Sequence, residues 1–83
     1  MTKLYHFDDT YVYNNYVLVN ELYEDDDGFN KNWYQWGILN DDEVENLQTL
    51  TGLSSNSYAS FTEAINVFKE KVNALDLINE NGN

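Results

Sequence analysis

The chain has 83 residues, 42% of them hydrophobic and 16% aromatic, with no Cys and no Pro. That length holds one hydrophobic core and not two, and without Cys neither disulfides nor zinc-thiolate sites can staple it. Fifteen Asp and Glu stand against four Lys and no Arg, a net charge of −11; this excludes a direct grip on nucleic-acid phosphates, whose affinity comes from Lys and Arg releasing counterions.

Leu4 to Phe7 and Thr10 to Tyr13 are short strand candidates, and Asn14-Asn15 can turn the chain into a further strand at Tyr16-Val17-Leu18-Val19. Trp33-Tyr34-Gln35-Trp36-Gly37-Ile38-Leu39 reads as the next strand. Alternation along it puts Tyr34, Trp36 and Ile38 on one side and Trp33 and Gln35 on the other, with Trp33 the more exposed tryptophan. The polar segment Glu24 to Asn32 between these strands contains Asp27-Gly28 and suits a hairpin loop with Gly28 at positive φ.

Asn40-Asp41-Asp42-Glu43 has the form of a helix start, with Asn40 as N-cap and Val44, Leu47 and Leu50 following at helical spacing. A short helix ending near Gly52 is expected. Ser60-Phe61-Thr62-Glu63 is a capping box that opens a helix bearing Phe61, Ile65, Phe68, Val72, Leu75 and Ile78 on one stripe; Asn79 to Asn83 are expected to fray. Residues 1–83 therefore read as one acidic α+β domain: a three- to four-stranded antiparallel sheet, a short helix, and a C-terminal amphipathic helix on one face.

The charge is unevenly distributed. Between Leu4 and Leu47 lie Asp8, Asp9, Glu21, Glu24, Asp25, Asp26, Asp27, Asp41, Asp42, Glu43 and Glu45, opposed only by Lys31, a net −10. One or two of the acids at Asp41 to Glu45 would serve a helix N-terminus, each contributing roughly 0.3–1 kcal/mol, and the remainder exceed that need.

Few chemistry-bearing motifs compete with a binding role. His6 beside Asp8 and Asp9 is a minimal metal or base-orienter candidate, more ordinarily a solvated turn. An EF-hand register with Gly28 in its sixth place sets Asp25 and Asp27 correctly but leaves Tyr23 and Tyr34 at the first and last ligand positions, so it fails. No phosphate-binding glycine loop, nucleophile elbow or zinc-binding histidine pair is present. Catalysis has little residue support, and no cofactor or metal is expected. No apolar run reaches the roughly 20 residues of a membrane span, and the start of the chain lacks signal-peptide character, so a cytoplasmic location is expected.

In size, acidity, absence of Arg and Cys, and richness in Tyr and Asn, the chain resembles small phage-encoded inhibitors that mimic DNA, of the anti-CRISPR and anti-restriction type. The resemblance is one of composition. It implies that Glu24, Asp25, Asp26, Asp27, Asp41, Asp42, Glu43 and Glu45 stand in for phosphates against a nuclease's cations, with Asp8, Asp9 and Glu21 extending the surface. Tyr11, Tyr13, Tyr23 and Trp33 would be aromatic anchors, or else ordinary sheet packing. A second likeness, covering about residues 15 to 75, is to the tryptophan-glycine-arginine domain: Asn15-Tyr16-Val17-Leu18-Val19 and Trp36-Gly37 precede the Ser60-Phe61-Thr62-Glu63-Ala64 helix in that family's order. The family's defining Arg is Ile38 here, so only the sheet-then-helix layout is implied.

The expected function is thus an acidic inhibitor that fills the cationic nucleic-acid groove of a CRISPR nuclease or similar defence enzyme. The alternatives are an immunity protein neutralising a cationic toxin nuclease, and a structural or regulatory module whose aromatics form a subunit contact. An enzyme is the weakest class, because it needs a buried carboxylate pair with separated pKa values.

Overall fold

The structure, a computed structural model, describes residues 1–81, and their side chains as far as Asp76. The elements are β1 (Thr2–Lys3), a 3-10 turn (Leu4–His6), β2 (Asp9–Tyr13), β3 (Tyr16–Glu24), β4 (Asn30–Asn40), β5 (Glu43–Thr49) and α1 (Phe61–Asn81). All strand pairs are antiparallel, in the order β1-β5-β4-β3-β2. The α+β class holds, with five strands where three or four were expected. Residues 82–83 of the segment expected to fray lie outside the described residues.

The first face of the sheet carries Tyr11, Tyr13, Tyr16, Leu18, Tyr34 and Trp36, which pack with Ala64, Phe68 and Val72 of α1. The cap expected at Ser60 forms, its Oγ accepting from the Glu63 N–H at 3.1 Å. The Glu63 carboxylate turns outward and accepts from Ser54 Oγ at 2.7 Å. Phe68 is fully buried and meets Tyr11, Tyr13 and Trp36 edge-on, with centroids 6.3, 6.4 and 6.2 Å away.

The second face carries Val17, Val19 and Val44, covered by Leu4, Phe7, Leu39 and Leu47. The N-terminal segment provides much of that cover. β1 pairs with β5 at one sheet edge, the Leu4 N–H donates to Asp42 O at 3.1 Å, and the Asp8 N–H donates to Asn20 O at 3.0 Å on the far side. Leu4 to Phe7, expected as a strand, instead form a turn and a crossover that lays Leu4 and Phe7 on the valines.

No helix follows Asn40. Asn40 pairs with Glu43 across a tight turn in which Asp41 has φ 58°, and β5 runs on from there. The helical spacing of Val44, Leu47 and Leu50 has a different cause. Asn46, at φ 54°, lies in a β-bulge opposite Gly37, and the extra residue returns Leu47 to the face of Val44 three positions on. From Leu47, ordinary alternation over three residues places Leu50 on the opposite face, in the helix-side core. The bulge also explains Gly37: a Cβ there would sit 2.5 Å from Glu45 O and 2.7 Å from Val44 Cγ1.

After β5 the chain stays beside β4. The Leu50 N–H donates to Tyr34 O at 2.9 Å and the Asn32 N–H to Ser57 O at 3.3 Å. The Tyr34 hydroxyl and Asn32 Nδ2 both donate to Ala59 O, which ties this loop to the sheet ahead of α1. Among the described residues no helix is long and apolar enough to cross a membrane.

Candidate functional site

The two acidic groups of the sequence lie at opposite ends of β4. Asp25 to Asp27 form the loop before Asn30, and Asp41-Asp42 form the turn after Asn40. Ten strand steps at about 3.4 Å separate them by about 34 Å. The two groups therefore do not form one continuous anionic surface. The physical reason is that both groups connect the same strand to its two neighbours.

The loop end gathers the larger share. Because β2 and β3 pair Asp9 with Asn20 at the middle of β3, Asp8 and Asp9 lie on the loop-side half of the sheet, beside Asn20 and Leu22, nearer to Glu21, Glu24, Asp25, Asp26 and Asp27 than to the other group. Asp8 Oδ2 accepts from the Leu22 N–H at 2.7 Å, which pins this acid to the side of β3. Asp25 organises the loop. Its Oδ1 accepts from the N–H groups of Asp27 at 3.0 Å and Phe29 at 2.9 Å, and its Oδ2 meets Lys31 Nζ at 3.1 Å. Gly28 follows at φ 86°, as its place in the loop requires. Asp25 is thus a structural acid, whereas Glu24, Asp26 and Asp27 point charge outward from an exposed loop.

The hydrogen bond from Phe29, reinforced by Lys31 and the Asp27 N–H, holds the Asp25 carboxyl below its ordinary value of 3.8. A lowered folded-state pKa stabilises the loop above the unfolded value, and that contribution is lost as pH falls through the folded value. The Asp27 and Phe29 amide resonances should accordingly titrate together with a midpoint below 3.8. A midpoint at or above that value would show that the loop is not held by Asp25.

The turn end is smaller and partly compensated. Lys3 Nζ lies 2.5 Å from Glu43 Oε1, and its hydrogen bond keeps the Glu43 carboxyl below the ordinary range. Glu45 Oε1 accepts from Asn40 Nδ2 at 3.2 Å. Asp41 and Asp42 remain exposed.

The aromatic candidates divide in two. Tyr11 and Tyr13 belong to the packing around Phe68, and the Tyr13 hydroxyl also donates to Asn73 Oδ1 at 2.8 Å, so neither is an outward anchor. Trp33 and Tyr23 are 43% and 42% exposed, in keeping with the alternation that put Trp33 opposite Tyr34. The N-terminal crossover explains why. It covers the second face over Val17, Val19 and Val44 and leaves Glu21, Tyr23 and Trp33, further along the same face, uncovered.

There the structure forms an open groove of ≈ 510 Å³ lined by Glu21, Tyr23, Asn32, Trp33, Asn56 and Ser57. Exposed Phe29 and Tyr58 lie near this end, with Lys31 Nζ 5.3 Å from the Tyr58 ring centroid. Sequence patterning marks Glu21, Tyr23 and Trp33. Asn56, Ser57 and Tyr58 carry no local signal, because the path of the 50–60 loop along β4 brings them in, while Phe29 and Asn32 come with the hairpin loop and β4 itself.

Among the described residues no three His or acidic side chains converge as a metal-holding group. No protein-family model, curated protein or solved structure matches the chain.

Proposed function

We propose that this protein is an acidic decoy that acts by binding and occupies the cationic nucleic-acid groove of a CRISPR nuclease or similar defence enzyme in the host cytoplasm. The observation that carries this reading is the loop end: Asp8, Asp9, Glu21, Glu24, Asp26 and Asp27 lie in the loop and on the loop-side half of β2 and β3, where the one lysine, Lys31, is already held by Asp25 at 3.1 Å. Uncompensated charge of one sign focuses a field that steers a cationic partner, and exposed Trp and Tyr beside it supply the anchors that dominate interface energies. The shape is compatible. The molecule is elongated, 50 × 27 × 16 Å, with an anionic group beyond each end of β4.

The experiment is displacement of labelled duplex from candidate nucleases by the full chain, at rising salt. The expected result is competitive displacement that weakens steeply between low and physiological ionic strength. A complex in which the nuclease still binds duplex removes the reading. The exposed Tyr23, Phe29, Trp33 and Tyr58 also favour a second reading, a subunit contact in a larger assembly, in which the acids serve solubility and their neutralisation leaves partner affinity unchanged.

A further inference from the structure

We infer that the groove at the loop end is a receptor for an arginine side chain of the cationic partner, and that it discriminates arginine from lysine. This rests on the reading that the loop end docks, and adds the chemistry of the contact.

Glu21 and Trp33 are direct partners across β3 and β4 and project from the same uncovered face, so their Cβ atoms lie about 4.5–5.5 Å apart. A carboxylate and an indole at that separation form two parts of one site. A planar cation laid on the indole reaches the carboxylate with its edge. Tyr23 stands on the same strand as Glu21 and the same face, with its hydroxyl 3.3 Å from Ser57 Oγ, which fixes that wall. Of the remaining lining groups, Asn32 has its amide engaged by Asn20 and Ala59, Asn56 and Ser57 each offer an oxygen acceptor, and no lining residue is cationic. Lys31, across from Tyr23, is drawn instead to Asp25 and the Tyr58 ring.

Charge complementarity selects a cation, and the geometry selects which one. A guanidinium is flat and weakly hydrated, stacks on an aromatic face, and donates two parallel N–H bonds to a carboxylate. An ammonium is compact and strongly hydrated, and it presents no stacking plane. Trp is also the best aromatic for holding a cation.

The test uses the full chain and two short peptides of alternating Arg and Gly or Lys and Gly, with binding followed by NMR. Expected are a shift of the Trp33 indole N–H with the Trp36 indole unmoved, and about tenfold tighter binding of the arginine peptide, the scale of a partly exposed cation–π contact. Trp33→Ala and Glu21→Gln, both at uncovered positions, should each remove the preference while the lysine peptide still binds, and Trp33→Phe should restore part of it. Equal affinity of the two peptides, or a preference that survives Trp33→Ala, overturns the groove inference and leaves the charge decoy standing. Failure of both peptides to bind at low salt overturns the groove and the docking end together.

Discussion

Replacing Glu24, Asp26 and Asp27 together by their amides (Glu24→Gln, Asp26→Asn, Asp27→Asn) is expected to weaken binding to a cationic nuclease groove by about a hundredfold at low salt. Each exposed charge contact is worth about 1 kcal/mol near water, and three of them amount to roughly two powers of ten in affinity. The loss should shrink at high salt, where the parent has already lost most of the same interaction. The substitutions leave the loop intact, because Asp25 makes the loop's hydrogen bonds and its lysine pair. Neutralisation also relieves self-repulsion in a chain of net charge −11, so the variant's melting temperature should rise. Weaker binding together with higher stability cannot be attributed to unfolding. Asp41→Asn with Asp42→Asn should cost less, about tenfold, since Lys3 already compensates part of the turn end. If the loop-end variant binds as tightly as the parent, the decoy reading is wrong and the aromatic subunit contact takes its place.

Phe68→Ala is the substitution expected to cost the fold most. The ring is fully buried between α1 and the sheet and is the common neighbour of Tyr11, Tyr13 and Trp36. Truncating a buried Phe costs about 3–5 kcal/mol, and the three edge-on contacts place this site at the upper end of that range. A domain of this size is stable by roughly 0.05–0.15 kcal/mol per residue, so a large fraction of its stability would go. Urea denaturation should show a large fall in midpoint for Phe68→Ala and a much smaller one for Phe68→Leu, which keeps most of the volume. A Phe68→Ala midpoint equal to the parent's would mean that α1 is not held to the sheet by this ring. The result bears on function because α1 and the sheet together position β4, which carries an anionic group at each end.

Several features were legible from local chemistry alone. The Ser60 cap and the apolar stripe of α1 depend on residues within a few positions of each other, as do the Asn14-Asn15 turn and the positive φ of Gly28. The opposed faces of Trp33 and Tyr34 follow from strand alternation, which needs no knowledge of neighbours. The net charge and its concentration between Leu4 and Leu47 are read from the residues alone.

Three features required the folded chain. The bulge at Asn46 shifts register by one residue, so Val44, Leu47 and Leu50 take on a helical spacing inside a strand; a bulge is defined by its partner strand, here at Gly37. The N-terminal crossover decides which part of the second face is core and which is open, and nothing within Glu21, Tyr23 or Trp33 distinguishes them from residues that the crossover covers. The division of the acids follows from topology: a loop and a turn at the two ends of one eleven-residue strand must be held apart by that strand's length, however close they stand in composition.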